Sequence, residues 1–265
     1  MYLILYLKAI FLGIIEGLTE FLPVSSTGHL IVLSDILEFN TIPNKTFEII
    51  IQLGAILAVC FLYREKIYKL LLTYLTDTSS QKFIFNIFFA FLPAVIFGVA
   101  FHGFIKEYLF SPSLVASMLM LGGFLMIYIE KIKRDPKFHA IEEIPIMTAV
   151  KIGFFQVIAM IPGTSRSGAT ILGAMLLNTS RKTAAEFSFF LAIPTIFSAV
   201  IYDSYKNYHL MNFDDVSLIL CGFAAAFISS LLVVAKLIAF ISKHGFIPFA
   251  IYRIIIGVII FIYVI

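Results

Sequence analysis

The sequence is poor in charge for a chain of 265 residues. Only 13% of its residues are Asp, Glu, Lys or Arg, about half the share of a typical soluble domain. Trp is absent, and the two cysteines, Cys60 and Cys221, lie in apolar runs, which argues against a disulfide or a cysteine metal site. No stripe of Lys and Arg points to nucleic acid. A mean hydropathy of +1.02 requires surface that faces lipid, so we expect an all-α polytopic membrane protein.

Six apolar runs are long enough to cross a bilayer as helices. A span needs roughly 20 mostly apolar residues. Two further stretches, about 1–38 and 146–179, are apolar but interrupted in the middle by Pro, Gly, Ser and Thr. Because no long linker separates these segments, the sequence predicts a single domain over 1–265. The six uninterrupted runs cover about 47–63, 83–101, 113–130, 184–202, 216–235 and 246–264.

The two interrupted stretches resemble each other. The first contains GIIEGLTEFLPVSSTGH and the second contains GFFQVIAMIPGTSRSGAT. An alignment that matches Ser26 with Ser165 requires one gap. The shared order of Gly, an acid or its amide, Pro and Ser predicts an internal repeat with units of about 1–130 and 146–265.

Lys and Arg are unevenly distributed among the connectors between the apolar runs. Connectors 64–82 and 131–145 hold four each, whereas 102–112 and 203–215 hold one each. Because basic loops tend to stay in the cytoplasm, the first two are expected inside and the other two outside. The interrupted stretches then become re-entrant hairpins that enter from opposite faces. This predicts an inverted-topology repeat with six full spans and both termini outside.

The first hairpin carries charges that a membrane interior normally lacks. Glu16 and Glu20 are four residues apart and share one face of a helix. Buried carboxylates need a cation, which could be Arg166 of the other hairpin or a divalent ion held by both glutamates, Mg²⁺ or as a second choice Ca²⁺. His29 follows Ser26 by three residues, which would place an imidazole near a hydroxyl for proton transfer.

The second hairpin has the composition of an anion-binding loop. Gly163 allows backbone N–H groups to approach an oxyanion, and Arg166 supplies a fork of donors that fits phosphate. A helix that starts there would add its own N-terminal N–H groups. No Walker loop, CxxC, HExxH or GxSxG motif occurs. The candidate phosphate-binding residues are Ser25, Thr27, Gly163, Ser165, Ser167 and Thr170, together with Arg166.

Small residues near both tips favour a structural interpretation. Gly13 and Gly17 form a small-xxx-small pattern, and Gly168 and Gly173 follow the second tip. Such residues usually let helix backbones approach closely. We therefore interpret these glycines as packing residues and the buried charges as functional ones.

The two tips resemble the signature regions of a known family. EGLTEFLPVSSTGH at Glu16–His29 and PGTSRSGAT at Pro162–Thr170 are similar to those of the undecaprenyl-diphosphate phosphatases, also called bacitracin-resistance proteins, and the resemblance covers essentially the whole chain. It implies that the terminal phosphate of undecaprenyl diphosphate is removed, which recycles the lipid carrier for peptidoglycan and confers bacitracin resistance. It also implies a divalent cation, a bacterial plasma membrane location and a site open to the outside.

The resemblance implies roles but leaves the mechanism open. Ser26 could attack phosphorus while His29 takes its proton, or Glu20 or His29 could activate water. A secondary transporter or flippase of an anionic phospho-lipid is the alternative function, because broken helices in inverted repeats are a transporter architecture. A homodimer is compatible with the sequence. The family's catalytic and phosphate-binding positions match Glu16, Glu20, Ser26, His29, Ser165, Arg166, Ser167 and Thr170.

Overall fold

The computed structural model describes residues 2–39, 46–109, 111–132, 135–207 and 213–264. Parts of the connectors 102–112, 131–145 and 203–215 lie outside them. The described residues form eleven α-helices and no named strand, which confirms the all-α prediction. The helices are α1 (Tyr2–Thr19), α2 (Ser26–Ile36), α3 (Thr46–Leu62), α4 (Arg64–Thr73), α5 (Thr78–Tyr108), α6 (Pro112–Lys131), α7 (Ile146–Ile158), α8 (Arg166–Leu176), α9 (Arg181–Asn207), α10 (Phe213–His244) and α11 (Ile247–Val264).

Five of these helices, α1, α5, α6, α9 and α10, are long and apolar enough to cross a membrane. Helices α3 and α4 form a bent pair, with 71° between them, that would count as a sixth span. The protein is therefore a polytopic helical membrane protein. The arrangement of six full spans with two re-entrant hairpins stays a prediction, as does its orientation.

The helices run further than the predicted spans. The predicted connector 64–82 contains all of α4, which buries no side chain, and α5 begins within it at Thr78. Likewise α10 continues through the basic residues after 235 and ends at His244. Charged residues mark where a helix leaves the hydrocarbon and not where it ends, because long basic side chains remain solvated at the interface. The predicted spans are thus shorter than the helices that contain them, and their boundaries stay a prediction.

Close backbone contacts hold the two interrupted stretches against the long helices. A Cβ built on Gly13 of α1 would lie 2.1 Å from the carbonyl oxygen of Gly222 in α10. One built on Gly153 of α7 would lie 2.2 Å from the carbonyl oxygen of Ala90 in α5. The packing interpretation is thus confirmed for Gly13, and α1 packs on α10 as α7 packs on α5.

Backbone conformation relates the two hairpins residue by residue. Within the described ranges, four residues other than glycine have positive φ: Ser25 (70°), Glu38 (50°), Ser165 (74°) and Asn178 (64°). They form two pairs, each separated by 140 residues, and α2 and α8 begin and end with the same separation. The structure therefore aligns Ser25, and not Ser26, with Ser165, and no gap is needed. These matches favour the predicted repeat.

Candidate active site

The two hairpin tips meet at a cavity of about 220 Å³. The breaks between α1 and α2 and between α7 and α8 supply most of its polar wall. Gln52 of α3 and Thr195 of α9 complete it. The structure thus brings seven of the predicted site residues to one cavity: Glu20, Ser25, Ser26, Thr27, Gly163, Ser165 and Arg166.

Glu20 joins the two tips. It follows the last turn of α1 and is 8% exposed. The Ser26 hydroxyl donates a hydrogen bond to its Oε2, and Arg166 Nη2 donates to its Oε1 at 2.8 Å. A charge-assisted bond between buried partners is among the stronger polar contacts in proteins. Arg166 Nη1 donates in addition to the carbonyl oxygen of Ser188 at 2.9 Å, which fixes the guanidinium at the cavity wall.

Each tip ends in a serine that caps the following helix. The hydroxyl oxygen of Ser25 accepts a hydrogen bond from the N–H of Gly28 at 3.3 Å, and that of Ser165 accepts one from Gly168 at 3.0 Å. The first N–H groups of α2 and α8 have no partners within their own helices. Both helices therefore begin at the cavity, and the N-terminus of a helix is a favourable place to bind an anion.

His29 makes different contacts from those expected. Its Nδ1 lies 2.8 Å from the carbonyl oxygen of Ser25, and its Nε2 lies 2.8 Å from the Tyr252 hydroxyl. The Ser26 hydroxyl donates instead to Glu20. The expected pairing of Ser26 with His29 is therefore corrected: the group placed to take the proton of Ser26 is the carboxylate of Glu20.

Two hydroxyls predicted to bind phosphate face the protein interior. Ser167 is 1% exposed and donates to the carbonyl oxygen of Leu22 at 2.8 Å, which ties the second tip to the first. Thr170 is fully buried, and its hydroxyl oxygen lies 2.9 Å from the carbonyl oxygen of Arg166 and 2.7 Å from the Ser188 hydroxyl oxygen. Neither lines the cavity, so the structure corrects their expected placement. Their bonds hold the tip that carries Arg166.

Glu16 lies behind Glu20 and is fully buried. Neither of its carboxylate oxygens meets a hydrogen-bond donor within the described part of the chain. Glu20 follows Glu16 by one helical turn, so the two carboxyl groups can bridge only by sharing a proton or a cation. No cluster of three or more His, Cys, Asp or Glu side chains is arranged for a metal in the described ranges. Mg²⁺, however, commonly uses one or two carboxylates together with substrate phosphates, and this pair fits that mode.

Sequence reasoning missed three residues of the site. Gln52 and Thr195 line the cavity from two long helices, and Arg253 of α11 is buried against both tips. Arg253 is an ionisable residue within a predicted span, so the rule that selected Arg166 would also have found it. A lone Gln or Thr in an apolar run gives a much weaker signal.

The fold and the cavity define a class: polytopic helical membrane proteins with a buried acidic and basic site between two broken helical hairpins. The chain belongs to the family of the bacitracin resistance protein BacA, whose family model matches residues 9–259.

Curated relatives align along nearly the whole chain. It is 51% identical to the undecaprenyl-diphosphatase of Methylobacillus flagellatus over 98% of each chain. It is 53% identical to undecaprenyl-diphosphatase 2 of Shewanella oneidensis, also over 98% of each. The undecaprenyl-diphosphatase of Parvibaculum lavamentivorans is 49% identical over 97% of this chain and 96% of its own.

Proposed function

We propose that this protein is an undecaprenyl-diphosphatase, which hydrolyses undecaprenyl diphosphate to undecaprenyl phosphate and inorganic phosphate. The observation that carries the proposal is the position of Glu20, which holds a nucleophile candidate, Ser26, and an anion-binding side chain, Arg166, at one cavity wall. The names of its relatives give the substrate. A lipid diphosphate suits a membrane-embedded cavity, because its prenyl chain can remain among apolar helices.

The diphosphate would be bound mainly by the second tip. Arg166 provides N–H donors in a planar fork that matches phosphate oxygens. Ser165 and the first N–H groups of α8 add neutral donors, while Ser25 and Thr27 line the opposite wall. In phosphoryl transfer most of the rate enhancement comes from positioning and from stabilising charge on the equatorial oxygens. These residues would supply both.

The contacts of Ser26 favour a covalent mechanism. Its hydroxyl already donates to Glu20, so Glu20 can accept the proton as Ser26 Oγ bonds to the terminal phosphorus. The bridging P–O bond then breaks and undecaprenyl phosphate leaves. Once the departing undecaprenyl phosphate has taken that proton from Glu20, water attacks the phosphoserine and Glu20 accepts the proton of the water. Glu20 then returns this proton to Ser26 Oγ, which restores the hydroxyl as inorganic phosphate departs. Direct attack by water that Glu20 activates is the competing route.

A divalent cation would be held by Glu16 and Glu20. The carboxylate oxygens of Glu16, which have no hydrogen-bond partner among the described residues, and its position one helical turn before Glu20 support this assignment. When bound, Mg²⁺ or Ca²⁺ would neutralise negative charge on the diphosphate. Glu20 would then serve the cation as well as the Ser26 hydroxyl.

The family resemblance supports a physiological setting for this reaction. The protein would reside in the bacterial plasma membrane, with the cavity open to the outside. There it would recycle the lipid carrier of peptidoglycan synthesis and confer bacitracin resistance by depleting the drug's target. A homodimer is a compatible assembly.

Phosphate release from undecaprenyl diphosphate by the purified protein in detergent tests the proposal. Wild type, Glu20→Gln and Arg166→Ala are compared with Mg²⁺ and after chelation. Glu65→Gln and Arg64→Ala are matched controls, because both side chains are largely exposed and lie outside the cavity. Release that is lost in the two site variants and retained in the controls supports a hydrolase. A protein that releases no phosphate, yet moves the lipid across liposome membranes, would be a flippase instead.

A further inference from the structure

Arg253 of α11 is one of the most deeply buried charged residues in the described chain. It is 1% exposed and donates four hydrogen bonds, all to backbone carbonyl oxygens. Nε donates to Leu119 at 3.3 Å and Nη2 to Met118 at 3.1 Å, both in α6. Nη1 donates to Pro23 at 3.1 Å, and Nη2 donates also to Gly163 at 3.0 Å. One guanidinium therefore connects α6 with both hairpin tips.

The two tip carbonyls are equivalent positions of the hairpins. Pro23 and Gly163 are separated by 140 residues, as are the two capping serines. Each carbonyl stands three residues before the first residue of its tip helix, which is Ser26 in one hairpin and Arg166 in the other. Arg253 thus binds two matching backbone carbonyls, each three residues before a residue whose side chain contacts Glu20.

Two glycines leave room for the Arg253 guanidinium. A Cβ built on Gly122 of α6 would lie 2.1 Å from Arg253 Nη2, and one built on Gly168 of α8 would lie 3.0 Å from Nη1. Lys could not replace this arrangement, because its compact ammonium cannot reach carbonyls on three elements at once. None of the four hydrogen bonds goes to a carboxylate, so the side chain does not serve an ion pair there.

We propose that Arg253 is a positioning residue for the phosphatase reaction: it fixes the separation of the two tips, so that Ser26 and Arg166 meet at Glu20 and at the substrate. It acts through the backbone of Pro23 and Gly163 and does not line the cavity. The role rests on the proposed function. Loss of the guanidinium leaves the polar groups in place but misaligned, and misplacement by about 1 Å can cost about 100-fold in rate.

Two substitutions disturb this contact in different ways. Arg253→Met removes the guanidinium, and Arg253→Lys keeps the charge but loses the fork. Gly122→Ala keeps Arg253 but displaces its guanidinium. This variant tests the positioning role if Arg253→Met yields no folded protein. Gly103→Ala is the matched control, because a Cβ there meets no described neighbour within 4 Å.

The test is steady-state phosphate release per folded protein, combined with a double-mutant cycle. We expect Arg253→Met and Gly122→Ala to lower kcat by about 10- to 100-fold with little change in KM, Arg253→Lys to restore little, and Gly103→Ala to match wild type. In a double variant with Arg166→Lys, Arg253→Met should lower kcat little further, because both substitutions disturb the same alignment of Arg166 with Glu20 and the substrate. If the losses of kcat multiply in the double variant, or if Arg253→Lys restores kcat, the positioning role of Arg253 is wrong. Neither result would affect the proposed function. A wild type without phosphate release would overturn the proposed function, and this role with it.

Discussion

Ser26 and Arg166 occupy matching first positions of α2 and α8, and both bond to Glu20. The same backbone position therefore presents a hydroxyl in one hairpin and a guanidinium in the other. Glu20 has Met160 as its counterpart at the 140-residue separation, so the carboxylate that joins the two groups occurs in the first hairpin alone. The site is asymmetric although the backbone that builds it is closely matched.

Arg166→Ala should lower activity more than Ser167→Ala. Arg166 lines the cavity and pairs with Glu20, whereas the Ser167 hydroxyl donates to the carbonyl of Leu22 away from the cavity. Removing one donor that stabilises transition-state charge costs about 10²–10³ in kcat in well-studied enzymes. Initial rates of phosphate release from both variants provide the comparison. Equal rates close to wild type would rule out the proposed binding role of Arg166.

Ser26→Ala should abolish turnover, and phosphate should be trapped on Ser26 of the wild type. Acid quenching during turnover of substrate labelled in its terminal phosphate, followed by peptide mapping, detects the phosphoserine. Ser34→Ala is a suitable control, because Ser34 is a buried hydroxyl of the same helix outside the cavity. Full activity of Ser26→Ala would instead select water that Glu20 activates.

Glu20→Gln should cost more activity than His29→Ala. The proton of Ser26 is directed at Glu20, while both nitrogens of His29 are engaged by Ser25 and Tyr252. Tyr252→Phe should have a smaller effect than either, because it removes one bond to an imidazole that only supports the tip. Comparing kcat for the three variants tests this order, and a larger loss in His29→Ala would return the role of base to the histidine.

Much of the site could be predicted because charge is rare in this chain. Glu16, Glu20 and Arg166 stand out in apolar surroundings, and the short polar motifs around them are contiguous. The partner of each side chain could not be predicted. Spacing placed His29 near Ser26, yet the left-handed conformation of Ser25 turns the start of α2 so that Ser26 faces Glu20.

The alignment of the hairpins shows a second limit of sequence patterns. The sequence pattern aligns Pro23 with Pro162, and this alignment requires a gap. The folded chain aligns the capping serines, because the left-handed turn and its hydrogen bond to a glycine N–H define the tip. The charge of Arg253 stands out in an apolar run, but its partners could not be predicted, since they lie in segments about 90 and 230 residues away.

Gly13→Ala and Gly153→Ala should destabilise the protein. Each added methyl group would overlap a backbone carbonyl of the facing helix, and overpacking of this kind typically costs about 1–3 kcal/mol. Thermal unfolding in detergent, with Gly103→Ala for comparison, measures the effect. Unfolding temperatures within a degree of wild type for both variants would contradict the close packing of α1 on α10 and of α7 on α5.

Glu143, in the connector between α6 and α7, should make stability depend on pH. The N–H of His139 and, more weakly, that of Ala140 donate to its carboxylate and lower the pKa of Glu143 below its usual value. A lowered folded-state pKa stabilises the fold above the unfolded value of about 4.3, and this stabilisation is lost as the pH falls through the folded pKa.

The difference in unfolding temperature between wild type and Glu143→Gln should therefore be present at pH 7 and shrink in acid. Glu142→Gln is the neighbouring control, because it leaves both hydrogen bonds to the Glu143 carboxylate in place. A difference between wild type and Glu143→Gln that grows as the pH falls would contradict the assignment.

The double engagement of Glu20 makes the resting site an internal mimic of its own ligand. The Glu20 carboxylate pairs with the Arg166 guanidinium. An arriving diphosphate therefore has to compete with Glu20 for Arg166. Once it succeeds, Glu20 loses the hydrogen bond from Arg166 and becomes a better acceptor for the proton of Ser26. Recognition and activation would then be a single exchange of partners, and a cavity without substrate would hold its serine in an unreactive state.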